Sequence, residues 1–190
     1  MKFFKEGKEK QLAKRLRNGE NGAMQELYTL YGNYLSALCA RYISDDDDIK
    51  DVFQDCFVSI ITHIDKFDYR GEGSLRAWVS RIAVNQSLMF LRGEKRKGLT
   101  LVDMDIPDEA EDDDPDIHEI PPDVIHKMIR ELPDGYRTVF NLYVFEDKSH
   151  KEIANLLNIK ETSSASQLHR AKNILAKKIN EYRTYKHSRL

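Results

Sequence analysis

The chain has 190 residues and a formal net charge of −2, with 41% hydrophobic and 33% charged residues. That length holds one ordinary domain or two small ones. The composition excludes collagen-like and wholly disordered chains, and the near-neutral total conceals a strong segregation of charge.

A short helix is expected around Leu12–Leu16. From Met24 the apolar positions Met24, Leu27, Tyr28, Tyr31, Tyr34, Leu35, Leu38, Cys39 and Tyr42 step by three or four, the period of one helix face. A second stripe follows at Ile49, Val52, Phe53, Cys56, Phe57, Ile60, Ile61 and Ile64. Ser44 and the run Asp45–Asp48 stand just ahead of it. There a side-chain oxygen accepts from unpaired N–H groups, and negative charge suits the helix dipole. Gly71 and Gly73 then interrupt the chain, and Ser74 is a candidate cap. Leu75, Trp78, Val79, Ile82, Ala83, Leu88 and Leu91 define a third long helix ending at Gly93 and followed by Glu94-Lys95-Arg96-Lys97. Trp78 is read as core packing. No alternating strand pattern occurs, so the fold class is all-α.

Between Gly98 and Asp123 there is no Lys or Arg, and there are eleven acidic residues together with Pro107, Pro115, Pro121 and Pro122. Outside it, 30 basic residues face 21 acidic ones, a surplus of nine positive charges. Such an acidic, proline-punctuated stretch buries too little apolar surface to fold alone. It reads as a flexible linker over 98–122 joining two small helical domains, 1–97 and 123–190. It serves either as a solvated spacer or as a polyanion that shields basic surfaces. The modest surplus permits nucleic-acid binding without requiring it.

In the second block, Val124, Ile125, Met128, Ile129 and Leu132 make a short helix stopped by Pro133, and Tyr136, Val139, Phe140, Tyr143 and Val144 make the next. Ser149-His150-Lys151-Glu152 is a capping box opening a helix with Ile153, Leu156 and Leu157. Asn158 tolerates the left-handed conformation of a tight turn, and Ile159 is placed to plug it. Thr162 or Ser163 is a candidate cap for a last helix with Leu168, Ala171, Leu175, Lys178 and Tyr182 on one side. Two helices at this spacing, with the small Ala154 where they meet, form a helix-turn-helix. Its second helix would offer Ser163, Ser164, Ser166, Gln167, His169, Arg170 and Lys172 to the major groove.

With these pieces in order, the sequence resembles the extracytoplasmic-function group of the sigma-70 family of bacterial RNA polymerase factors, from about Gln11 to Tyr182. Asp51-Val52-Phe53-Gln54-Asp55-Cys56-Phe57 resembles the family stretch D-L-V-Q-E-V-F. Ser74-Leu75-Arg76-Ala77-Trp78-Val79-Ser80-Arg81-Ile82-Ala83-Val84-Asn85 resembles S-F-R-A-W-L-Y-R-I-A-R-N. Leu132-Pro133 with Arg137 and Val139, then Glu152-Ile153-Ala154 and Leu168-His169-Arg170-Ala171-Lys172, resemble the promoter-reading domain.

The resemblance implies a non-enzymatic transcription initiation factor, with sigma region 2 in the first domain and region 4 in the second. Asp48, Asp51, Gln54 and Asp55 would dock on the clamp of the polymerase largest subunit, and the flap of the second subunit is a further expected partner. The loop from Asp65 to Gly73, with Phe67 and Tyr69, would capture an unpaired base of the minus-ten element. Arg76, Arg81, Asn85, Arg92, Lys95, Arg96 and Lys97 would supply phosphate and base contacts. The last helix would read the minus-thirty-five element, and an anti-sigma protein is an expected partner. Two departures stand out. Met89 occupies a position where the family often has an acid. Thr162-Ser163-Ser164-Ala165-Ser166-Gln167-Leu168 stands where G-T-V-K-S-R-L is common, so basic phosphate contacts are missing and Gln167 is left to read adenine.

The rival reading is a stand-alone helix-turn-helix regulator that binds duplex DNA as a dimer. An enzyme is third: the six histidines are scattered, with no Gly-rich phosphate loop and no nucleophile–base pairing. His150 is expected at the surface of its capping box. The Asp45–Asp48 run lacks the alternating ligands, central Gly and terminal Glu of a calcium loop. Cys39 and Cys56 are too few for a disulfide framework and not spaced as CxxC, so they read as reduced thiols, and no catalytic residue, metal or cofactor is expected. Met1-Lys2-Phe3-Phe4-Lys5-Glu6 lacks a signal-peptide core. No apolar run reaches the ~18–20 residues of a membrane span, so a cytoplasmic chain without direct membrane insertion is expected.

Overall fold

The apolar stripes fold as helices in the computed structural model of the chain, which describes residues 7–96 and 120–187. Regular structure among the described residues is entirely helical. Two units form, within Met1–Lys97 and within Gly98–Leu190.

The first unit contains α1 (Lys8–Arg17), α2 (Ala23–Ala40), α3 (Asp46–His63), a 3-10 turn (Ile64–Lys66) and α4 (Ser74–Arg96). Its core is built from Leu12 and Leu16 of α1, Leu27, Leu35 and Leu38 of α2, Val52 and Ile60 of α3, and Leu75, Val79, Ala83 and Leu88 of α4. Each of the leucine, isoleucine and valine side chains contributes about 1.5–3 kcal/mol on burial, so these spacings hold the unit together. Asp45 caps α3, its carboxylate accepting from the Asp47 and Asp48 N–H groups at 2.9 and 3.1 Å. Cys39 and Cys56 are free and buried, their sulfurs 3.9 Å apart in the α2–α3 interface. Contact with Cys39 and burial push the Cys56 thiol well above its ordinary range.

Two details depart from expectation. Gly93 does not end α4, which continues to Arg96. One interior glycine costs a helix only about 1 kcal/mol, and the basic residues beyond it favour the negative end of the dipole. Ser74 does not cap α4 either. Its hydroxyl donates to the Gly71 carbonyl at 2.6 Å, while a carboxylate from α1 supplies the cap.

The second unit contains α5 (Pro122–Arg130), α6 (Asp134–Val144), α7 (His150–Leu157) and α8 (Glu161–His187). The expected acidic linker lies outside the described residues over 98–119, but its last residues belong to the fold. Ile120 is buried with Met128, Ile129, Leu132, Tyr136, Ala171, Leu175 and Ile179, and Pro122 opens α5. Proline suits the first helical position because its φ is preset and no N–H is needed there. The corner between α5 and α6 closes on Arg137, whose guanidinium donates to the Arg130 and Leu132 carbonyls at 2.8 and 3.0 Å and to Asp134 Oδ1 at 2.5 Å.

The capping box at α7 is complete. The Glu152 N–H donates to Ser149 Oγ at 3.3 Å, and the Ser149 N–H donates to Glu152 Oε2 at 2.9 Å. These bonds to Ser149 hold the Glu152 carboxyl below its usual range. Asn158 takes the left-handed conformation, φ 53° and ψ 51°. The last helix starts at Glu161, earlier than either hydroxyl cap considered, so Thr162 and Ser163 lie inside its first turn.

Candidate polymerase and nucleic-acid interfaces

On α3 the buried face carries Ile49, Val52, Cys56 and Ile60, which turns the opposite face outward. Asp51, Gln54 and Asp55 are exposed there, and Asp48 is partly exposed at its flank. Asp47, one turn before Asp51, pairs with Lys50 at 2.7 Å, and that cation lowers its carboxyl below the ordinary range. The same stripe continues into Val58, 62% exposed, and Ile61, 43% exposed. Alongside it, Tyr28 of α2 stacks by its edge on Phe53 at 5.9 Å and packs on Phe57 at 5.5 Å while remaining exposed itself. The acidic quartet therefore borders an apolar patch that periodicity missed. The apolar period places Ile61 in the core stripe and leaves Val58 off it, whereas both side chains are exposed. An apolar centre with a polar rim is the composition of a protein-docking surface.

The segment after α3 turns back through the 3-10 turn and reaches α4 by way of Gly71 and Gly73, at φ 125° and 88°. Those angles favour glycine, since L side chains rarely adopt them. Phe67 is 4% exposed and packs on the half-buried Trp78 at 5.4 Å, so this ring of the expected base-capturing loop is turned toward the core. Tyr69 is partly exposed, its hydroxyl donating to Glu72 at 3.4 Å, and Arg70 pairs with Asp68.

Along α4, Arg81, Asn85 and Arg92 are exposed and recur at helical spacing on one stripe. Trp78 lies one turn before Arg81 on that side, so the buried end of the loop and the basic stripe are continuous along the helix. Met89, 60% exposed, borders the stripe. Arg76 falls on a different face. Its guanidinium sits 4.4 Å over the Tyr34 ring, and the Tyr34 hydroxyl shares a hydrogen bond with Ser80. The α4 backbone reaches Lys95 and Arg96, whose side chains, like Lys97, lie outside the described residues.

In the second unit α8 buries Leu168, Ala171, Leu175 and Ile179. Ser164 precedes Leu168 by one turn and is carried inward with them. It is 0% exposed and shares a hydrogen bond with His150 Nδ1 at 3.0 Å. The sequence reading offers Ser164 to the major groove, whereas here it lies in the α7–α8 contact, paired with His150. His150 is itself half-buried, stacked on Tyr143 at 4.8 Å, not at the surface. Ser166 and His169 face outward with Thr162, and Asn173 is partly exposed beside them; neither Thr162 nor Asn173 is among the DNA contacts expected from the sequence. Ser166 donates to the Thr162 carbonyl, and His169 shares a hydrogen bond with Asn173 at 3.2 Å. Ser163, Gln167 and Arg170 form one partly exposed shoulder, where Arg170 donates to the Tyr136 hydroxyl, and exposed Lys172 forms the other.

Known families account for both units. The model of sigma-70 region 2 matches residues 27–97, and that of sigma-70 region 4 matches residues 123–175. The chain is 26% identical over 183 residues to the ECF RNA polymerase sigma factor SigW of Bacillus subtilis, covering 90% of this chain and 97% of that protein. It is 29% identical over 184 residues to the ECF RNA polymerase sigma-E factor of Haemophilus influenzae, covering 88% and 93%. A solved structure of CnrH in complex with the cytosolic domain of CnrY is similar over 91% of this chain and 97% of that one, at 22% identity and a TM-score of 0.48. The chain belongs to the sigma-70 family as an RNA polymerase sigma factor of the extracytoplasmic-function type. Members of this family bind core RNA polymerase and promoter DNA. No helix among the described residues is long and apolar enough to cross a membrane.

Proposed function

We propose that this non-enzymatic, cytoplasmic factor docks α3 on the clamp of the polymerase largest subunit. In this reading Val58 and Ile61 provide the apolar centre, and Asp48, Asp51, Gln54 and Asp55 provide a rim that steers a basic partner and fixes register. The loop from Asp65 to Gly73 receives an unpaired base of the minus-ten element, with Tyr69 its accessible ring. Arg81, Asn85 and Arg92 then follow the displaced strand. Opening duplex DNA costs a few kcal/mol per base, which a stacked or pocketed base and phosphate contacts offset. Region 4 contacts the flap of the second subunit and reads the minus-thirty-five element with Ser163, Ser166, Gln167, His169, Arg170 and Lys172. Phe67 and Ser164 drop out of the contact set because they are buried. The acidic segment threads toward the active-site channel, and an anti-sigma protein covers the factor when it is inactive.

The single observation that carries the DNA half is the exposed Arg81–Asn85–Arg92 stripe, continuous along α4 with the loop that Phe67 anchors on Trp78. Run-off transcription with purified core polymerase and a library of promoter DNA tests the whole reading. Promoter-specific transcripts that require both components are expected; failure of the chain to co-elute with core polymerase counts against it. On the selected promoters, Gln167→Arg is expected to shift one minus-thirty-five position from adenine toward guanine by about tenfold, because an Arg fork suits the guanine edge. Unchanged base preference at every position would remove Gln167 from the reading set.

A further inference from the structure

The loop proposed to capture DNA is gripped at both ends by one helix that carries none of the proposed DNA contacts. Arg17, in the last turn of α1, donates from Nε to the Ile64 carbonyl at 3.2 Å and from Nη2 to the Phe67 carbonyl. These are the carbonyls that α3 and the 3-10 turn leave at their C-terminal ends, where a cation is favoured by the helix dipole. Two turns earlier, the Glu9 carboxylate accepts from the Leu75 N–H at 3.0 Å and the Arg76 N–H at 3.4 Å. It therefore caps α4, the role Ser74 does not fill. The Tyr31 hydroxyl holds that carboxylate by donating to it at 2.8 Å, and burial and Glu9 together raise the Tyr31 phenol well above its ordinary range.

The grip is rigid because α1 is itself fixed. Leu12, Ala13 and Leu16 are buried, and Arg15 pairs with Glu20 and Glu26. Eight residues of helix separate Glu9 from Arg17, about 12 Å at 1.5 Å per residue. A stiff rod of that length thus sets the distance between the end of α3 and the start of α4, and the nine residues 65–73 must close over it. At the near end of the rod a methyl on Gly7 would run into the Tyr69 hydroxyl and the Glu72 carboxylate, so Gly7, just ahead of α1, lies against the loop as well.

We infer that Arg17 and Glu9 are positioning residues that hold the loop from Asp65 to Gly73 in its base-receiving shape. The inference rests on the proposed role of that loop in minus-ten capture. Arg17 is exposed and its truncation leaves the core intact, so fold and function separate.

The test uses full-length Arg17→Met, Arg17→Lys and Glu9→Gln, each assembled with core polymerase. Three quantities are measured: affinity for core, thermal stability, and affinity of the holoenzyme for a single-stranded oligonucleotide carrying the minus-ten sequence selected by run-off transcription. Arg17→Met is expected to weaken oligonucleotide binding about tenfold while core affinity stays within about twofold, and Arg17→Lys is expected to restore most of the loss, since it keeps the cation at the carbonyls. Glu9→Gln, which removes the charge from the α4 cap, is expected to weaken it in the same direction. Unchanged oligonucleotide binding in Arg17→Met, or a parallel fall in core affinity without rescue by lysine, would overturn the inference. Failure of the unaltered holoenzyme to hold the oligonucleotide overturns instead the minus-ten reading on which it stands.

Discussion

Arg137→Met is expected to destabilise the second unit by about 3–5 kcal/mol, enough to unfold a marginal helical domain. The guanidinium is 2% exposed and serves three acceptors at once: two carbonyls at the α5–α6 corner and the Asp134 carboxylate. Methionine occupies a similar volume, so little cavity forms. What is lost is the charged fork, and the Arg130 and Leu132 carbonyls lose donors that buried acceptors need. Burial lowers the guanidinium's pKa from its ordinary value, and Asp134 works in the opposite direction by favouring the charged form. Lysine is expected to recover only part of the stability, because one ammonium cannot reproduce a planar fork aimed at three oxygens. Urea denaturation of the full chain followed by circular dichroism reads the effect. A shift below about 1 kcal/mol would mean that Pro133 and the surrounding apolar contacts close the corner without Arg137.

Reversing charge at Asp51 and Asp55 together, as Asp51→Arg with Asp55→Arg, is expected to weaken association with core polymerase about a hundredfold while leaving the fold intact. Both side chains are exposed one turn apart on α3, so neither change disturbs the Val52, Cys56 and Ile60 face. The loss comes from replacing steering by repulsion against a basic partner. The unaltered factor should therefore associate more slowly as salt rises, and the double variant should show a flatter salt dependence. Surface-immobilised core polymerase with the factor in solution gives both rates. An unaltered association rate for the double variant would place the docking surface elsewhere, with the exposed aromatic edge at Tyr28 as the next candidate.

Much of the architecture was legible because it is local. Helix existence follows from apolar spacing within one turn of the chain, and the Ser149–Glu152 box, the Asp45 cap and the left-handed Asn158 are set by residues within four positions of each other. The motif order that placed the two sigma regions is likewise written linearly. What escaped was the direction of individual side chains at the borders of a stripe. Ser164 looked like a polar surface residue, yet its spacing to Leu168 and Ala171 carries it inward, and only the pairing with His150 shows what holds it there. Ile61 looked like core and is exposed beside Val58.

The sequence by itself determined the helices, the local caps at Asp45 and Ser149 and the family, since those depend on periodicity and short-range hydrogen bonding. The tertiary structure alone decided the shape of the loop between α3 and α4. Its supports, Arg17 to Ile64 and Phe67 and Glu9 to Leu75 and Arg76, join residues 47 to 67 positions apart. No local pattern encodes such pairs: a charged residue on a short helix looks solvated until packing brings it to the ends of two others.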